Sequence, residues 1–241
     1  MRSPADGSPS LLYLPQLAAL TAEFTLEGDE AHYLARVVRA RPGERVQATD
    51  GLGSRVTLEV IESRPEVRLR RLAFEHCPLT RTLTLAVGVP EGERGDWLIE
   101  KAAELGVTRL TPLDCQRGAW KGWRPDRLDR IAIAGLRQSL GCHRLVLEPP
   151  VPLLDWLGVL PQGGARFEAA PQGATVASCP APPMGASVVV VGPSSGFSPS
   201  ERKVLSESGF KPLALAAARL RTETAALAAA AWWAAADPQA G

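Results

Sequence analysis

Two stretches of this chain run an apolar strand into a loop and the loop into a helix start. In the first, VVVVGPSSGFSPSE (Val188–Glu201), four valines precede Gly192, Pro193, Ser194, Ser195 and Gly196. Ser198-Pro199-Ser200-Glu201 then has the form of a capping box, with Ser at the N-cap, Pro in the first turn and Glu three residues after the cap. In the second, LALAAARLRTETAAL (Leu213–Leu227), Arg219 and Arg221 stand just before Thr222, the expected N-cap, and Glu223. Arginines beside the positive end of a helix need an anion or a carboxylate close by, and Glu223 is the nearest carboxylate in sequence. Loops at the C-terminal ends of strands are where open α/β sheets place their ligands. Neither stretch is a phosphate loop, because no lysine follows Gly196 and no GxGxxG is present. Read alone, each is either a plain connecting turn or one wall of a ligand pocket.

Other chemistry is sparse. The three histidines, His32, His76 and His143, sit in no HExxH, GxSxG or triad setting. His32 shares a helix face with Arg36 and Arg39 if the helix is regular, a cluster able to grip phosphates or simply a solvated face. From Lys101 to Arg144 nine basic residues oppose four acids, a local surplus suited to RNA in a chain whose net charge is only +1. The four cysteines form no CxxC pair, which argues against a metal site or a disulfide framework and for reduced thiols in a cytoplasm. No apolar run approaches the roughly 18 residues of a membrane span. The first twenty residues show no basic segment followed by a sustained apolar one.

The elements that must position these residues fall into two groups. Residues 1–75 read as a β-rich unit with one helix, GDEAHYLARVVRA, and a hairpin turning at Asp50-Gly51. Short strands with tight turns predict a small barrel. Residues 80–241 alternate strands (RTLTLAVGV, VTRLTPL, ARFEAA, VVVV, PLALA) with helices (GERGDWLIEKAAELG, RPDRLDRIAIAGLRQSLG, TETAALAAAAWWAAA). That alternation predicts a parallel sheet flanked by helices. The last helix is apolar almost all round and must be buried in the core or against a partner subunit.

Taken in order, EKAAELGVTRLTPL, IAGLRQSLGCHR, GPSSGFSPSE and LAAARLRTETA, preceded by His32, ARVVRARPGERV and Asp50-Gly51, resemble the motifs of the E-type bacterial 16S ribosomal RNA (uridine-N3) methyltransferases of the SPOUT superfamily. The resemblance implies a PUA-like β-barrel for RNA, followed by an α/β domain with a trefoil knot. It implies S-adenosyl-L-methionine as cofactor, 16S rRNA or the small ribosomal subunit as partner, a homodimer, and neither membrane nor metal. The cofactor would be walled by Ala169 and Ala170, by Gly192, Pro193, Ser194, Ser195 and Gly196, and by Leu215, Ala216, Leu220 and Thr222. Arg221 matches the motif arginine and would stabilise the uracil anion or fix the RNA. His32, Arg36 and Arg39, with Arg117 and Lys121, would hold RNA phosphates.

The departures fall on the cofactor loops. Family GPEGG is GPSSG here, and Ala216 stands where the family has glycine. If the glycine replaced by Ser195 needs a positive φ, serine there costs about 1–2 kcal/mol. The alternative function is therefore a non-catalytic RNA-binding or ribosome-assembly protein on the same fold, with a degenerate cofactor site.

Overall fold

A computed structural model describes residues 10–90, 94–161, 163–182 and 184–236. The first nine residues and the expected helix start at Gly92 and Glu93 lie outside them. The chain forms two compact units, one of residues 1–79 with 136–144, the other of residues 80–135 with 145–241.

The first unit is a five-stranded sheet in the order β1-β3-β4-β5-β2, with β1 at Leu11–Tyr13, β2 at Glu23–Leu26, β3 at Arg45–Thr49, β4 at Ser54–Glu62 and β5 at Val67–His76. Alternation decides its inside. Val56, Leu58 and Val60 of β4 are buried with Val46, Ala48 and Leu69, while the residues between them face outward. The β3–β4 hairpin turns where the DG pair predicts. Asp50 Oδ1 accepts from the amides of Leu52 (2.7 Å) and Ser54 (3.0 Å). Burial pushes the Asp50 carboxyl up, but the hydrogen bonds of Ser54 and Leu52 outweigh it and leave the pKa below the ordinary carboxylate value.

The expected single helix over GDEAHYLARVVRA divides. Gly28–His32 is α-helical (α1), and Tyr33–Val38 continues as a wider π-helical turn. The amides of Arg39 and Ala40 both close onto the Leu34 carbonyl, and Arg39 ends the segment in the left-handed region (φ 58°, ψ 41°). The wider winding seats Leu34 in the core and cancels the regular spacing that put Arg39 on the face of His32 and Arg36. Segment 136–144, which takes in the last turn of α3 (Pro125–Ser139), belongs to this unit although the residues on either side of it in sequence belong to the second. Arg137 pairs with Glu30, Arg55 Nη2 donates to the Leu140 carbonyl (2.6 Å), and the thiols of Cys77 and Cys142 touch at 2.6 Å, both free. The two cysteines are far apart in sequence and adjacent in space.

In the second unit a parallel sheet runs β12-β10-β11-β6-β7-β8, with β6 at Arg81–Gly88, β7 at Arg109–Asp114, β8 at Val146–Leu147, β10 at Ala165–Thr175, β11 at Gly185–Val191 and β12 at Lys211–Ala214. A two-residue strand, β9 (Val151–Pro152), pairs with β7. The valine run is buried on both faces, as parallel strands are. Val189 and Val191 join the core under the helices α2 (Arg94–Glu104), α3 (Pro125–Ser139) and α6 (Thr222–Ala234). Val188 and Val190 meet α4 (Leu153–Gly158) and α5 (Pro199–Glu207) through Trp156, Leu205 and Phe210. The apolar α6 lays Ala226, Ala229, Ala230 and Trp233 into the first of these cores, and Arg81 sits 4.0 Å above the Trp233 ring. Strand β10 runs beyond its expected end at Ala170 as far as Thr175, with a register shift against β12 between Ala169 and Ala174.

Candidate functional site

The C-terminal ends of β11 and β12 flank the irregular stretch of β10 around Ala169, and the segments there line a cavity of about 320 Å³. That volume is at the lower end for a small-molecule site. Ala169 and Ala170 line it from β10. Gly192, Pro193, Ser194, Ser195 and Gly196 line it from the loop after β11. Leu215, Ala216, Leu220 and Thr222 line it from the loop after β12. Residues expected at one cofactor from three separate stretches thus meet around one space.

The β11 loop is held by its own carbonyls. The Gly196 amide closes a turn onto the Pro193 carbonyl (2.7 Å), and Gly196 carries the left-handed φ of 71°. Thr222 Oγ1 donates to the Gly192 carbonyl, Arg219 Nη2 to that of Ser194 and Arg117 Nη1 to that of Ser195, each at 3.0 Å. Three donors from outside the turn therefore fix it without help from a glycine at 194 or 195. Among the described residues only Arg39 and Leu140 are non-glycines with positive φ, so Ser194, Ser195 and Ala216 are unstrained. Below the loop, Gly88 ends β6 so close to Pro193 that a Cβ there would lie 2.7 Å from Pro193 Cδ. Capping of α5 follows the sequence: Ser198 Oγ accepts from the Glu201 amide (3.2 Å), and Glu201 Oε2 accepts from the Ser198 amide (2.7 Å). The other Glu201 oxygen takes the Gln116 amide (2.8 Å), tying this corner to the segment after β7.

Two expectations at the second loop are corrected. Arg221, not Thr222, is the N-cap of α6, with extended backbone (φ −73°, ψ 160°) and its carbonyl accepting from the Ala225 amide (2.8 Å). The Thr222 hydroxyl is instead spent on Gly192. Glu223 pairs with neither Arg219 nor Arg221. It is buried and takes Arg94 Nη1 at 2.6 Å, because its place in the first turn of α6 faces α2. That partner is 129 residues away and leaves no local signal. Arg221 is exposed and is not part of the cavity lining, although Leu220 and Thr222 on either side of it are.

The sequence reading missed Glu168, Arg202 and the cavity role of Arg219. Glu168 lies on β10 beside Ala169, lines the cavity, and faces Arg202 Nε at 3.5 Å. Burial pushes its carboxyl up, and Arg202 only partly offsets this. A raised folded-state value means that ionising Glu168 opposes folding. The opposition is absent below the ordinary carboxylate value, where both states are protonated, and complete above the raised value. Glu168→Gln is expected to raise the melting temperature relative to the parent protein, by a margin that grows as pH rises through that window. A margin that is flat between acid and neutral pH would refute the assignment.

The expected phosphate ligands separate. His32 and Arg36 line a groove of about 610 Å³ in the first unit together with Arg64, and Arg39 does not line it. In the second unit Arg117 is exposed but engaged with Ser195, and Lys121 lines a different recess.

The family profile of an RNA methyltransferase domain matches residues 77–234, and that of an RNA methyltransferase PUA domain matches residues 26–70. A Mycobacterium bovis protein named ribosomal RNA small subunit methyltransferase E is 31% identical over 233 residues, covering 91% of this chain and 88% of its own. The Bacillus subtilis protein of that name is 25% identical over 225 residues, covering 85% and 86%. Among solved structures, ribosomal RNA small subunit methyltransferase E from Neisseria gonorrhoeae bound to S-adenosyl methionine aligns with a TM-score of 0.78 at 27% identity, over 93% of this chain and 96% of that one. A domain match over most of the chain and a near-full-length relative agree: this chain belongs to the RNA methyltransferase family, beside the proteins named ribosomal RNA small subunit methyltransferase E.

Proposed function

We propose that the protein transfers a methyl group from S-adenosyl-L-methionine to N3 of a uridine in 16S ribosomal RNA. The observation that carries this reading is the single cavity beside β10 and at the ends of β11 and β12, with its carbonyl-clamped loop. The residues present suit the cofactor in charge. Glu168 offers a carboxylate to its cationic groups, and Arg202 and Arg219 offer guanidiniums to its carboxylate. When bound, the cofactor supplies a methyl carbon on a sulfonium leaving group.

The chain's own residues do the rest. Uridine N3 becomes nucleophilic only when its proton leaves, and the charge that develops spreads onto the uracil oxygens. Arg221, exposed between two lining residues, is the cation assigned to that charge. Thr222, Arg219 and Arg117 hold the loop in place, so that it would present a bound methyl donor to N3 from a fixed position. The groove of His32, Arg36 and Arg64 takes RNA phosphates in the first unit. The reading also includes the trefoil knot in the segment that carries these loops, a homodimer and a cytoplasmic setting. No helix among the described residues is long and apolar enough to cross a membrane.

Calorimetric titration with S-adenosylmethionine tests the proposal. Saturable binding is expected, and no heat at high micromolar cofactor would sink it. Small-subunit rRNA from a deletion strain should then lack one methyluridine by mass spectrometry. One ground for the alternative, a degenerate binder, was strain at the replaced glycines, and the absence of positive φ at Ser195 and Ala216 removes that one. The double substitution Ser195→Gly with Ala216→Gly is accordingly expected to leave cofactor affinity within about twofold, since no left-handed residue is relieved. A tenfold gain would show that the side chains obstruct the site.

A further inference from the structure

The second unit has another recess, of about 300 Å³, formed between the start of α2 and the segment joining β7 to α3. Its walls include Trp120 and Trp123, whose rings meet edge to face with centroids 6.0 Å apart and planes at 86°. Trp120 is pinned at both ends: its indole N–H donates to the Val87 carbonyl (2.9 Å) and its amide to Asp114 Oδ1 (2.8 Å). Gly95 of α2 closes against the same ring, where a Cβ would lie 3.0 Å from Cζ3. Trp123 rests on the edge of the main core. Both rings are only half-buried, so a fixed aromatic corner remains open.

The rim is basic. Lys121 and Arg124 are exposed and line the recess, and neither side chain has an ion-pair partner among the described residues. Arg127 is different, because it is committed to Asp96 through both guanidinium nitrogens. Tryptophans that merely fill a loop need neither an open corner nor two exposed cations beside it. Held aromatic faces beside a positively charged rim are the means by which proteins bind single-stranded nucleic acid.

We propose that the Trp120–Trp123 recess is a stacking subsite for an unpaired RNA base, with Lys121 and Arg124 on the adjoining phosphates. This deepens the RNA methyltransferase reading and rests on it for the class of ligand. The test is fluorescence anisotropy of the full chain with a labelled single-stranded RNA of about ten nucleotides. Trp123→Leu is expected to weaken binding roughly 5- to 150-fold, the effect of losing one stacked base. Trp123→Phe, which keeps an aromatic face, is expected to retain most of the affinity. Lys121→Ala with Arg124→Ala, two exposed positions that leave the fold alone, should lower the slope of log affinity against log salt by about 1.4. Equal losses in Trp123→Leu and Trp123→Phe would assign the ring to packing and overturn the proposal, as would an unchanged salt slope in the double variant. Cofactor titration of the same proteins keeps the two readings apart. The methyltransferase reading fails if the parent protein gives no heat with S-adenosylmethionine, and the subsite fails on RNA affinity alone.

Discussion

Gly88→Ala is expected to weaken S-adenosylmethionine binding roughly 10- to 100-fold and to lower the melting temperature by several degrees. Gly88 is the last residue of β6, and its missing side chain is what lets the β11 loop lie on the sheet. An added methyl would stand 2.7 Å from Pro193 Cδ and 2.9 Å from the Gly192 carbonyl carbon, with Pro193 N nearer still. These are backbone and ring atoms that have no rotamer by which to retreat. The loop itself is anchored at Gly192, Ser194 and Ser195, so a shift must break at least one of those bonds. Overpacking of this kind costs about 1–3 kcal/mol, about 5- to 150-fold in a binding constant, and the stated range around the middle of that span is expected where the free loop relaxes away from the methyl and binding has to draw it back. Gly158→Ala is the control, because a Cβ there meets nothing within 4 Å. Calorimetry and thermal melts of the two variants decide the matter. Parent-like affinity in Gly88→Ala would mean that the loop is not the cofactor wall.

Arg221→Ala is expected to cut methyl transfer by about 100- to 1,000-fold while leaving cofactor affinity and melting temperature nearly unchanged. The separation of effects follows from the geometry. As N-cap, Arg221 serves α6 through its backbone alone, with no capping hydrogen bond from the side chain. Truncation therefore removes a charge outside the cavity lining and nothing that supports it. Arg219→Ala is the informative contrast, because Arg219 Nη2 holds the Ser194 carbonyl and its loss is expected to act on cofactor binding first. Single-turnover assays on a small-subunit RNA substrate, run beside calorimetry, read both quantities. An Arg221→Ala enzyme that keeps a third of its turnover would rule out the assigned role.

Much of the cavity was legible because its parts are local. A run of four valines, a Gly-Pro turn and a capping box each announce themselves within a few residues, and the structure returns the strand, the turn and the cap in those places. The β3–β4 hairpin at Asp50-Gly51 and the helices ending before Gly106 and Gly141 were readable for the same reason. The misreadings came where a side chain has a choice of partners. Thr222 at a helix start looks like a cap, yet a carbonyl of another loop is the better acceptor for its hydroxyl. Glu223 beside two arginines looks paired with them, yet a buried carboxylate takes the guanidinium that reaches it from α2. The regular face of His32, Arg36 and Arg39 failed because periodicity assumes uniform winding, whereas Tyr33–Val38 winds wider and Arg39 leaves it in the left-handed region.

From its sequence alone this chain declares a β-rich unit, an alternating α/β unit and the three stretches that would wall a cofactor, since strand patterning, turn dipeptides and caps are set by neighbours in the chain. Only the tertiary structure decides that those stretches converge on one cavity, that Glu168 joins them, and that Arg117 and Arg219 hold the loop. It alone shows that Ser194 and Ser195 need no left-handed backbone, because that position belongs to Gly196. Strand order, burial and long-range hydrogen bonds depend on which distant surfaces pack together, and residue spacing carries no record of that choice.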